Sequence, residues 1–176
     1  MKNRNHSEFL ELYEPLHTQL TKFCRAISGN TEDAKDLAND TVLNAIESFE
    51  RIKDKAAFKS YMFSIASNLN KKKFRRFKFK AEFNEIEINQ IVDLSQNPEY
   101  ITDFKIVYNQ ILALPSKTAE AIILFHISDL SLEEIQQIQG GSLSGVKLRL
   151  KRGREKLFSQ LKSPQQLKVA VLFLNL

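Results

Sequence analysis

Apolar residues recur every three or four positions along most of this chain of 176 residues, the spacing of helices that bury one face. The pattern predicts a first helix with apolar positions from residue 9 to residue 23, closed by Gly29, and a second helix capped by Thr31. Residues 50–55 break the periodicity and predict a loop before a third helix over residues 58–69. The positions predicted to be buried on the second helix are Ala34, Leu37, Thr41, Ala45 and Phe49, widened by Ala38, Val42 and Ile46.

The same spacing returns in the second half of the chain, after a stretch without clear periodicity at residues 81–97. Asn97 and Pro98 predict the start of a helix that reaches Leu112 and ends near Pro115, and Ser116 starts the next one. The inward positions predicted for that next helix are Ala119, Ile122, Ile123 and Ile127.

Runs of alternating, strand-forming residues are missing from the sequence. The pattern therefore predicts an all-α fold with two small helical domains, residues 1–83 and 98–162. An acidic linker at residues 84–97 joins them, and an apolar C-terminal tail follows at residues 163–176.

Residues 131–156 predict two helices joined by a tight turn. Ser131 and Glu134 form an S-x-x-E capping box that starts the first of them. Gly140 and Gly141 end it, because glycine accepts the left-handed conformation of a C-terminal cap. Ser142 is placed to cap the second helix. The predicted buried stripe of the second helix is Leu143, Val146, Leu150 and Leu157.

Six cations fill the remaining surface of that second helix: Lys147, Arg149, Lys151, Arg152, Arg154 and Lys156. A short helix, a glycine turn and a cationic second helix are what a helix-turn-helix reader of the DNA major groove requires. A helical hairpin on the protein surface with a solvated basic face has the same spacing. Spacing alone supports the two interpretations equally.

Cations are concentrated in two short windows of the chain. Lys and Arg number 26 against 21 Asp and Glu, and residues 71–80 hold seven cations where residues 147–156 hold six. Between the windows, residues 81–104 carry six carboxylates and no Lys or Arg. Two basic patches separated by an acidic connector are expected of a protein that contacts a polyanion at two places. Net charge alone does not distinguish nucleic acid from an anionic membrane.

Three phenylalanines are interleaved with the cations of residues 71–80: Phe74, Phe77 and Phe79. They would pack on the preceding helices or stack on unpaired bases, and packing is the more common role for apolar residues at a helix end. The cations favour contact with nucleic-acid phosphates.

Asp33, Asp36 and Asp40 recur at intervals of three and four residues and form one acidic ridge on the second helix. Solvated charge is the simplest interpretation of this ridge, and docking to a basic partner is the alternative. Motifs for phosphate loops, dinucleotide binding, nucleophilic catalysis or zinc are absent from the sequence. We therefore expect no enzyme activity, no catalytic residue, no metal, no cofactor and no small-molecule substrate.

Cys24 is the single cysteine of the chain, so no intrachain disulfide can form, which suits a reducing cytosol. The polar N-terminus lacks the apolar core of a signal peptide. The longest apolar run, residues 169–174, is too short to span a bilayer. We therefore expect the chain to act in the cytoplasm.

Several short segments, in order, resemble extracytoplasmic-function (ECF) sigma factors over about residues 7–161. Residues 31–37 (TEDAKDL), 40–41 (DT), 58–61 (FKSY) and 65–68 (IASN) are similar to region two of that family. Residues 114–115 (LP), 130–135 (LSLEEI), 146–147 (VK) and 149–150 (RL) are similar to its region four. The order and spacing of the two sets make the resemblance more specific than a helix-turn-helix alone.

This resemblance implies a non-catalytic, dissociable subunit of bacterial RNA polymerase that selects promoters. Its partners would be core RNA polymerase and promoter DNA, with an anti-sigma factor as a further candidate. The residues that the resemblance assigns to docking on the polymerase clamp coiled coil are Asp33, Asp36, Leu37, Asp40 and Thr41.

The resemblance also implies two contacts with promoter DNA. The loop at residues 50–55 and the third helix would open the upstream-ten element and hold its non-template strand, while the last basic helix would read the upstream-thirty-five element. The residues assigned to opening are Asn68, Lys72, Arg75 and Arg76. Those assigned to reading are Lys147, Leu148, Lys151 and Arg152.

Three residues depart from the family pattern and leave the promoter sequence open. Tyr61 stands where the family usually has Trp, Leu148 replaces a small polar residue, and Gly141 replaces an apolar residue of the turn. The tail at residues 163–176 lies outside the resemblance. Its apolar residues predict that it packs on a domain of this chain or of a partner.

Two other functions compete with this interpretation. A helix-turn-helix regulator that never joins RNA polymerase would explain the second domain, but it leaves the acidic ridge and residues 71–80 without a joint purpose. An adaptor on an anionic membrane would use residues 71–80 and the apolar tail.

Overall fold

The computed structural model describes residues 2–74 and 98–174. The chain divides into two compact units, Met1–Phe79 and Lys80–Leu176. All regular secondary structure in the described residues is helical, which confirms the all-α, two-domain prediction. The linker predicted at residues 84–97 lies outside the described residues, so its limits stay a prediction.

Within the described part of the first unit, the α-helices are α1 (Lys2–Tyr13), α2 (His17–Ser28), α3 (Thr31–Ser48) and α4 (Phe58–Phe74). The prediction of one helix through residues 9–23 is wrong, because a 3-10 turn at Glu14–Leu16 separates α1 from α2. Pro15 explains the break, since proline has no N–H to continue the α-helical ladder. Gly29 ends α2 in the left-handed conformation, with φ of 81°, as predicted.

Helix α3 begins one residue earlier than predicted, with Asn30 rather than Thr31 as its cap. Asn30 Oδ1 accepts a hydrogen bond from the Asp33 backbone N–H at 2.8 Å. The predicted widening of the buried stripe is wrong, because Ala38 and Val42 are half-buried and Ile46 is exposed. The narrower stripe is confirmed at all five positions: Ala34, Leu37, Thr41, Ala45 and Phe49.

An aromatic cluster fills the core beneath the segment that joins α3 to α4. The rings of Phe9, Phe49 and Phe58 meet edge to face, with centroids 5.4–5.7 Å apart. The predicted loop at residues 50–55 contains parts of two 3-10 turns, Phe49–Arg51 and Lys55–Ala57. Lys55 Nζ lies 3.2 Å from the centroid of the Phe49 ring, and this cation–π contact holds the segment against the core.

The second unit, in its described part, contains α5 (Ile101–Leu112), α6 (Ser116–His126), α7 (Leu132–Gln139), α8 (Leu143–Gln160) and α9 (Pro164–Phe173). A 3-10 turn at Pro98–Tyr100 precedes α5, so the helix predicted from Pro98 starts three residues later. Helix α5 ends at Leu112, as predicted from Pro115. The four inward positions predicted for α6 are all buried: Ala119, Ile122, Ile123 and Ile127.

The C-terminal tail forms α9 and packs on α5 of its own domain. Ser163 caps it by accepting a hydrogen bond from the Gln166 N–H at 3.1 Å. Phe173 meets Phe104 edge to face, with ring centroids 5.4 Å apart. The sequence left open whether the tail packs on a domain of this chain or of a partner, and in the structure it packs on its own domain. In the described residues, no helix is long and apolar enough to cross a membrane.

Candidate functional site

The turn between α7 and α8 has the geometry predicted for a helix-turn-helix. Both halves of the capping box are present, since Ser131 Oγ accepts from Glu134 N–H at 3.1 Å and Glu134 Oε2 accepts from Ser131 N–H at 2.8 Å. Gly140 and Gly141 have φ of 71° and 91°, a region that favours glycine. Ser142 Oγ accepts from the Gly145 N–H at 3.1 Å and caps α8. Local hydrogen bonds and glycine conformations therefore define both ends of α7 and the start of α8.

One face of α8 lies against the rest of the second domain. Its predicted positions Val146, Leu150 and Leu157 are buried, whereas Leu143 is half-buried. Gly153 is buried on the same face, which the periodicity of apolar residues does not indicate.

At Gly153, α8 packs tightly against α6. A Cβ atom at this position would lie 2.6 Å from Thr118 Cγ2 and 2.9 Å from Ile122 Cδ1, well inside van der Waals contact. Glycine is therefore required for the two helices to approach this closely.

The opposite face of α8 is exposed and carries every residue predicted to read DNA: Lys147, Leu148, Lys151 and Arg152. These positions lie on neighbouring turns of the helix and form one strip. Lys151 Nζ lies 3.9 Å from Glu155 Oε1, an exposed pair that contributes little to stability. Cations in such a strip can contact phosphates and base edges, and the exposed Leu148 can contact a thymine methyl group.

Arg149 is held differently from the cations around it. Its side chain is half-buried and donates from Nη1 to Gln139 Oε1 at 2.6 Å. The six cations predicted to cover the surface of α8 are therefore not equivalent, because Arg149 points toward α7.

Behind α8, His126 occupies the end of α6 in a half-buried position. Burial lowers the pKa of its imidazole to about 4, and the positive charge of Arg154 adds to the effect. The ring is therefore neutral near pH 7. Its Nε2 has no hydrogen-bond partner within the described residues.

Carboxylates line the solvent side of α3. Asp36 and Asp40 are exposed, while Asp33 is half-buried and accepts at Oδ2 from Asn30 Nδ2 at 2.8 Å. Leu37 and Thr41 lie in the core, where Thr41 Oγ1 donates to the Leu37 carbonyl at 2.6 Å. Their side chains can support a docking surface but do not form part of it while α3 stays packed.

Two apolar residues of α3 face solvent beside this acidic ridge. Leu43 is 55% exposed and Ile46 is 42% exposed. The periodicity of apolar residues does not indicate Leu43 and wrongly predicts that Ile46 lies in the core. Leu43 follows Asp36 and Asp40 by seven and three residues, which puts it on the same helical face.

The basic end of α4 is described as far as Phe74. Asn68 and Lys72 are exposed one turn apart on the same face, while Lys71 Nζ donates to Ser67 Oγ at 2.8 Å. Tyr61 is half-buried, and its hydroxyl donates to Ser48 Oγ at 2.7 Å. This bond ties α4 to the end of α3. Arg75 and Arg76, also predicted for this site, lie outside the described residues, as do Phe77 and Phe79.

Comparisons with known proteins place two family matches on these two domains. The model for Sigma-70 region 2 matches residues 12–79, and the model for Sigma-70, region 4 matches residues 104–157. The chain is 28% identical over 174 residues to the ECF RNA polymerase sigma factor SigW of Bacillus subtilis, an alignment that covers 92% of this chain and 93% of that protein.

Further relatives have the same kind of name. RNA polymerase sigma factor YlaC of Bacillus subtilis is 28% identical over 163 residues, covering 89% of this chain and 92% of its own length. ECF RNA polymerase sigma factor EcfG of Rhodopseudomonas palustris is 27% identical over 144 residues, covering 81% of this chain and 78% of its own length.

Proposed function

The chain belongs to the ECF sigma factors of RNA polymerase, and we propose that it docks on the core enzyme through α3 and reads promoter DNA with α8. Sigma factors are transcription initiation factors that work with core polymerase and promoter DNA. The proposal assigns those two contacts to particular residues of this chain.

The observation that best supports docking through α3 is the exposed face of this helix. Asp36 and Asp40 stand in solvent on a helix that also exposes Leu43 and Ile46, while the opposite face is core. A partner that covers this face must offer cations to the carboxylates and an apolar surface to Leu43 and Ile46. A helix-turn-helix regulator that works without polymerase has no need of such a face in a separate domain. This surface therefore favours the sigma-factor function over that alternative.

Duplex reading is assigned to the exposed strip of α8. Lys147, Lys151 and Arg152 supply charge for phosphates and donors for base edges, and Leu148 supplies an apolar contact. The capped turn and the buried opposite face support this role, because a rigid helix keeps such contacts in register with the groove.

Strand opening is assigned to the basic end of α4. Asn68 and Lys72 share an exposed face there, and Arg75 and Arg76 continue the basic sequence beyond the described residues. The segment at residues 50–55 is held close to α4 by Lys55 and the aromatic cluster. The cationic helix can bind the phosphates of a displaced single strand, and the polar loop beside it can contact the unpaired bases of that strand.

Two further assignments complete the proposal. The chain would act in the cytoplasm, where it meets RNA polymerase, and an anti-sigma factor would be a reversible partner.

The exposed apolar residues Leu167, Val171 and Leu172 on α9 offer a surface for an anti-sigma factor. Capture of a specific inhibitor by the parent chain, but not by a Leu172→Asp variant, is the expected result. Equal capture by both would remove α9 from this role.

Charge reversal on α3 tests the docking assignment. The variant Asp36→Lys with Asp40→Lys should bind core polymerase at least about tenfold more weakly, because both reversed charges face the basic partner surface. The matched control reverses Glu11 and Glu14, which are exposed outside α3 and give the same change in net charge. Affinities are measured by titration of labelled chain with core polymerase, and circular dichroism confirms the helical fold. Equal affinities for the two double variants would contradict docking through α3.

A further inference from the structure

Gln139, the last residue of α7, makes three side-chain hydrogen bonds inside the second domain. Its side chain is almost completely enclosed, with 8% of the residue exposed. Nε2 donates to Glu120 Oε2 at 2.7 Å and to the Lys117 carbonyl at 3.0 Å. Oε1 accepts from Arg149 Nη1 at 2.6 Å. Both amide hydrogens and the amide oxygen therefore have partners.

These partners lie on the two helices that flank α7 in sequence. Lys117 and Glu120 belong to α6, and Arg149 belongs to α8. The amide cannot be turned over, because its NH2 group would then face the guanidinium and its oxygen would face the carboxylate. A single orientation of Gln139 therefore links the three helices.

Arg149 is the member of this network that bears on DNA contact. It lies beside Leu148 in sequence, yet its guanidinium is directed to α7 while Lys147, Leu148, Lys151 and Arg152 are exposed. The bond to Gln139 thus adds a polar contact to the apolar contacts that hold α8 in this rotation.

We propose that Gln139 is a positioning residue for sequence reading, setting the rotation of α8 about its own axis. This inference rests on the proposed reading of the duplex by α8. A roll of about 20° would move side-chain ends on a helix of this diameter by about 2 Å. That displacement is enough to break hydrogen bonds to base edges, which tolerate only a few tenths of an ångström.

The chemistry of Gln139 suits this role better than an apolar residue would. Glu120 and Arg149 carry opposite charges and attract each other across the buried space between α6 and α8. The amide stands between them, donates to one and accepts from the other, and keeps them apart at a set spacing. Without it, the attraction would pull Arg149 toward α6 and roll α8 with it.

The experiment compares three changes in the full chain, each assembled with core polymerase. Gln139→Leu removes the amide, and Gln139→Glu leaves the contact with Arg149 but places a second carboxylate beside Glu120. The double variant Gln139→Glu with Glu120→Gln restores a donor–acceptor pair, since the new amide at position 120 donates to the new carboxylate at position 139. The Lys117 carbonyl loses its hydrogen-bond donor in all three variants. Recovery of function in the double variant would therefore depend only on the contacts that run from residue 120 through residue 139 to Arg149.

The measured quantity is discrimination, defined as the ratio of holoenzyme affinities for a matched promoter and for one with a scrambled upstream-thirty-five element, at fixed salt. Each single variant should lower this ratio about tenfold, the size expected for losing a charge-assisted hydrogen bond. The double variant should recover to within about threefold of the parent. Gln137→Leu is the matched control, an exposed glutamine of the same helix, and should leave the ratio unchanged.

Thermal unfolding separates positioning from folding, and affinities are compared at a temperature where every variant is folded. If Gln139→Leu does not fold, the Gln139→Glu single and double variants still decide the matter, because they keep the side chain's size. An unchanged ratio in both single variants would overturn the role of Gln139 alone. Failure of the double variant to recover the ratio of the parent would do the same. A parent holoenzyme that does not discriminate between the two promoters would instead overturn reading by α8, and the inference with it.

Discussion

Gly153 determines how closely α8 approaches α6, and its replacement gives a direct test of that contact. In Gly153→Ala, the new methyl group would meet Thr118 Cγ2 at 2.6 Å. Overpacking costs about 1–3 kcal/mol, while alanine gains about 1 kcal/mol over glycine in helix propensity. We expect a net loss of about 1 kcal/mol in the free energy of unfolding, measured by urea titration.

The neighbour Thr118 supplies the control for this prediction. Thr118→Ser removes the methyl group that clashes, so the double variant should lose less stability than the sum of the two single changes. Ser159→Ala, an exposed change on the same helix, should alter stability by less than about 0.5 kcal/mol. Strict additivity of the Gly153 and Thr118 changes would show that the two groups do not meet.

His126 makes the stability of the second domain depend on pH. Burial, aided by Arg154, lowers the pKa of its imidazole from 6.5 to about 4. The unfolded chain therefore takes up a proton at higher pH than the folded chain does, so the free energy of unfolding should fall as the pH is lowered from about 6.5 toward 4. Chemical denaturation at a series of pH values measures this. The His126→Gln variant should lose part of this slope between pH 6.5 and pH 5, and an identical slope would contradict the burial of the neutral ring.

At the scale of elements, α9 is a structural part of the second domain. Three of its residues are buried, Val169, Ala170 and Phe173, and so is Leu174, which directly follows the helix. Truncation after Lys162 would expose Phe104 and the rest of the α5 face that α9 covers. Loss of these contacts should destabilise the second domain by about 3 kcal/mol or more.

Thermal unfolding followed by circular dichroism tests this prediction, with a surface change on the same helix as the comparison. Leu172→Gln alters a residue that is mostly exposed and should leave the midpoint nearly unchanged. A truncated chain with the parent's midpoint would mean that α9 is only loosely associated with α5.

At the scale of the whole molecule, the two basic surfaces should act at different steps of initiation. Neutralising Lys72, Arg75 and Arg76 should impair open-complex formation, because these residues adjoin the proposed single-strand site. Neutralising Lys147 and Arg152 should impair recruitment to closed promoters, and each lost phosphate contact should reduce the salt slope of binding by about 0.9.

Permanganate footprinting and filter binding distinguish these two defects. A pre-melted bubble template should rescue the first set of variants and leave the second impaired. Rescue of the second set alone would mean that the two roles are reversed. The surface change Lys162→Ala, at an exposed position beyond the end of α8, serves as a charge control.

Sequence alone determined the features whose causes lie within a few residues of one another. Contacts along one helix or turn explain the capping box of Ser131 and Glu134, the left-handed Gly29, the positive φ of Gly140 and Gly141, and the buried stripe of α3. The errors at this level were local as well: Pro15 interrupts the first helix, and Asn30 caps α3 in place of Thr31. The two domains and their family were also readable, because their motifs occur in order along the chain.

Only the tertiary structure decided what depends on how closely distant segments approach. Nothing in the sequence around Gly153 indicates that α6 packs against it. Likewise, the sequence does not distinguish Arg149 from the other cations of α8, although its guanidinium donates to Gln139. The sequence also left open whether the apolar tail packs on this chain or on a partner, and the contact of Phe173 with Phe104 shows that it packs on this chain. Periodicity reports which side of a helix is apolar, but helix spacing and rotation arise from side chains far apart in sequence. Those quantities decide which residues of the basic helix α8 are exposed and which are buried or held by a neighbouring helix.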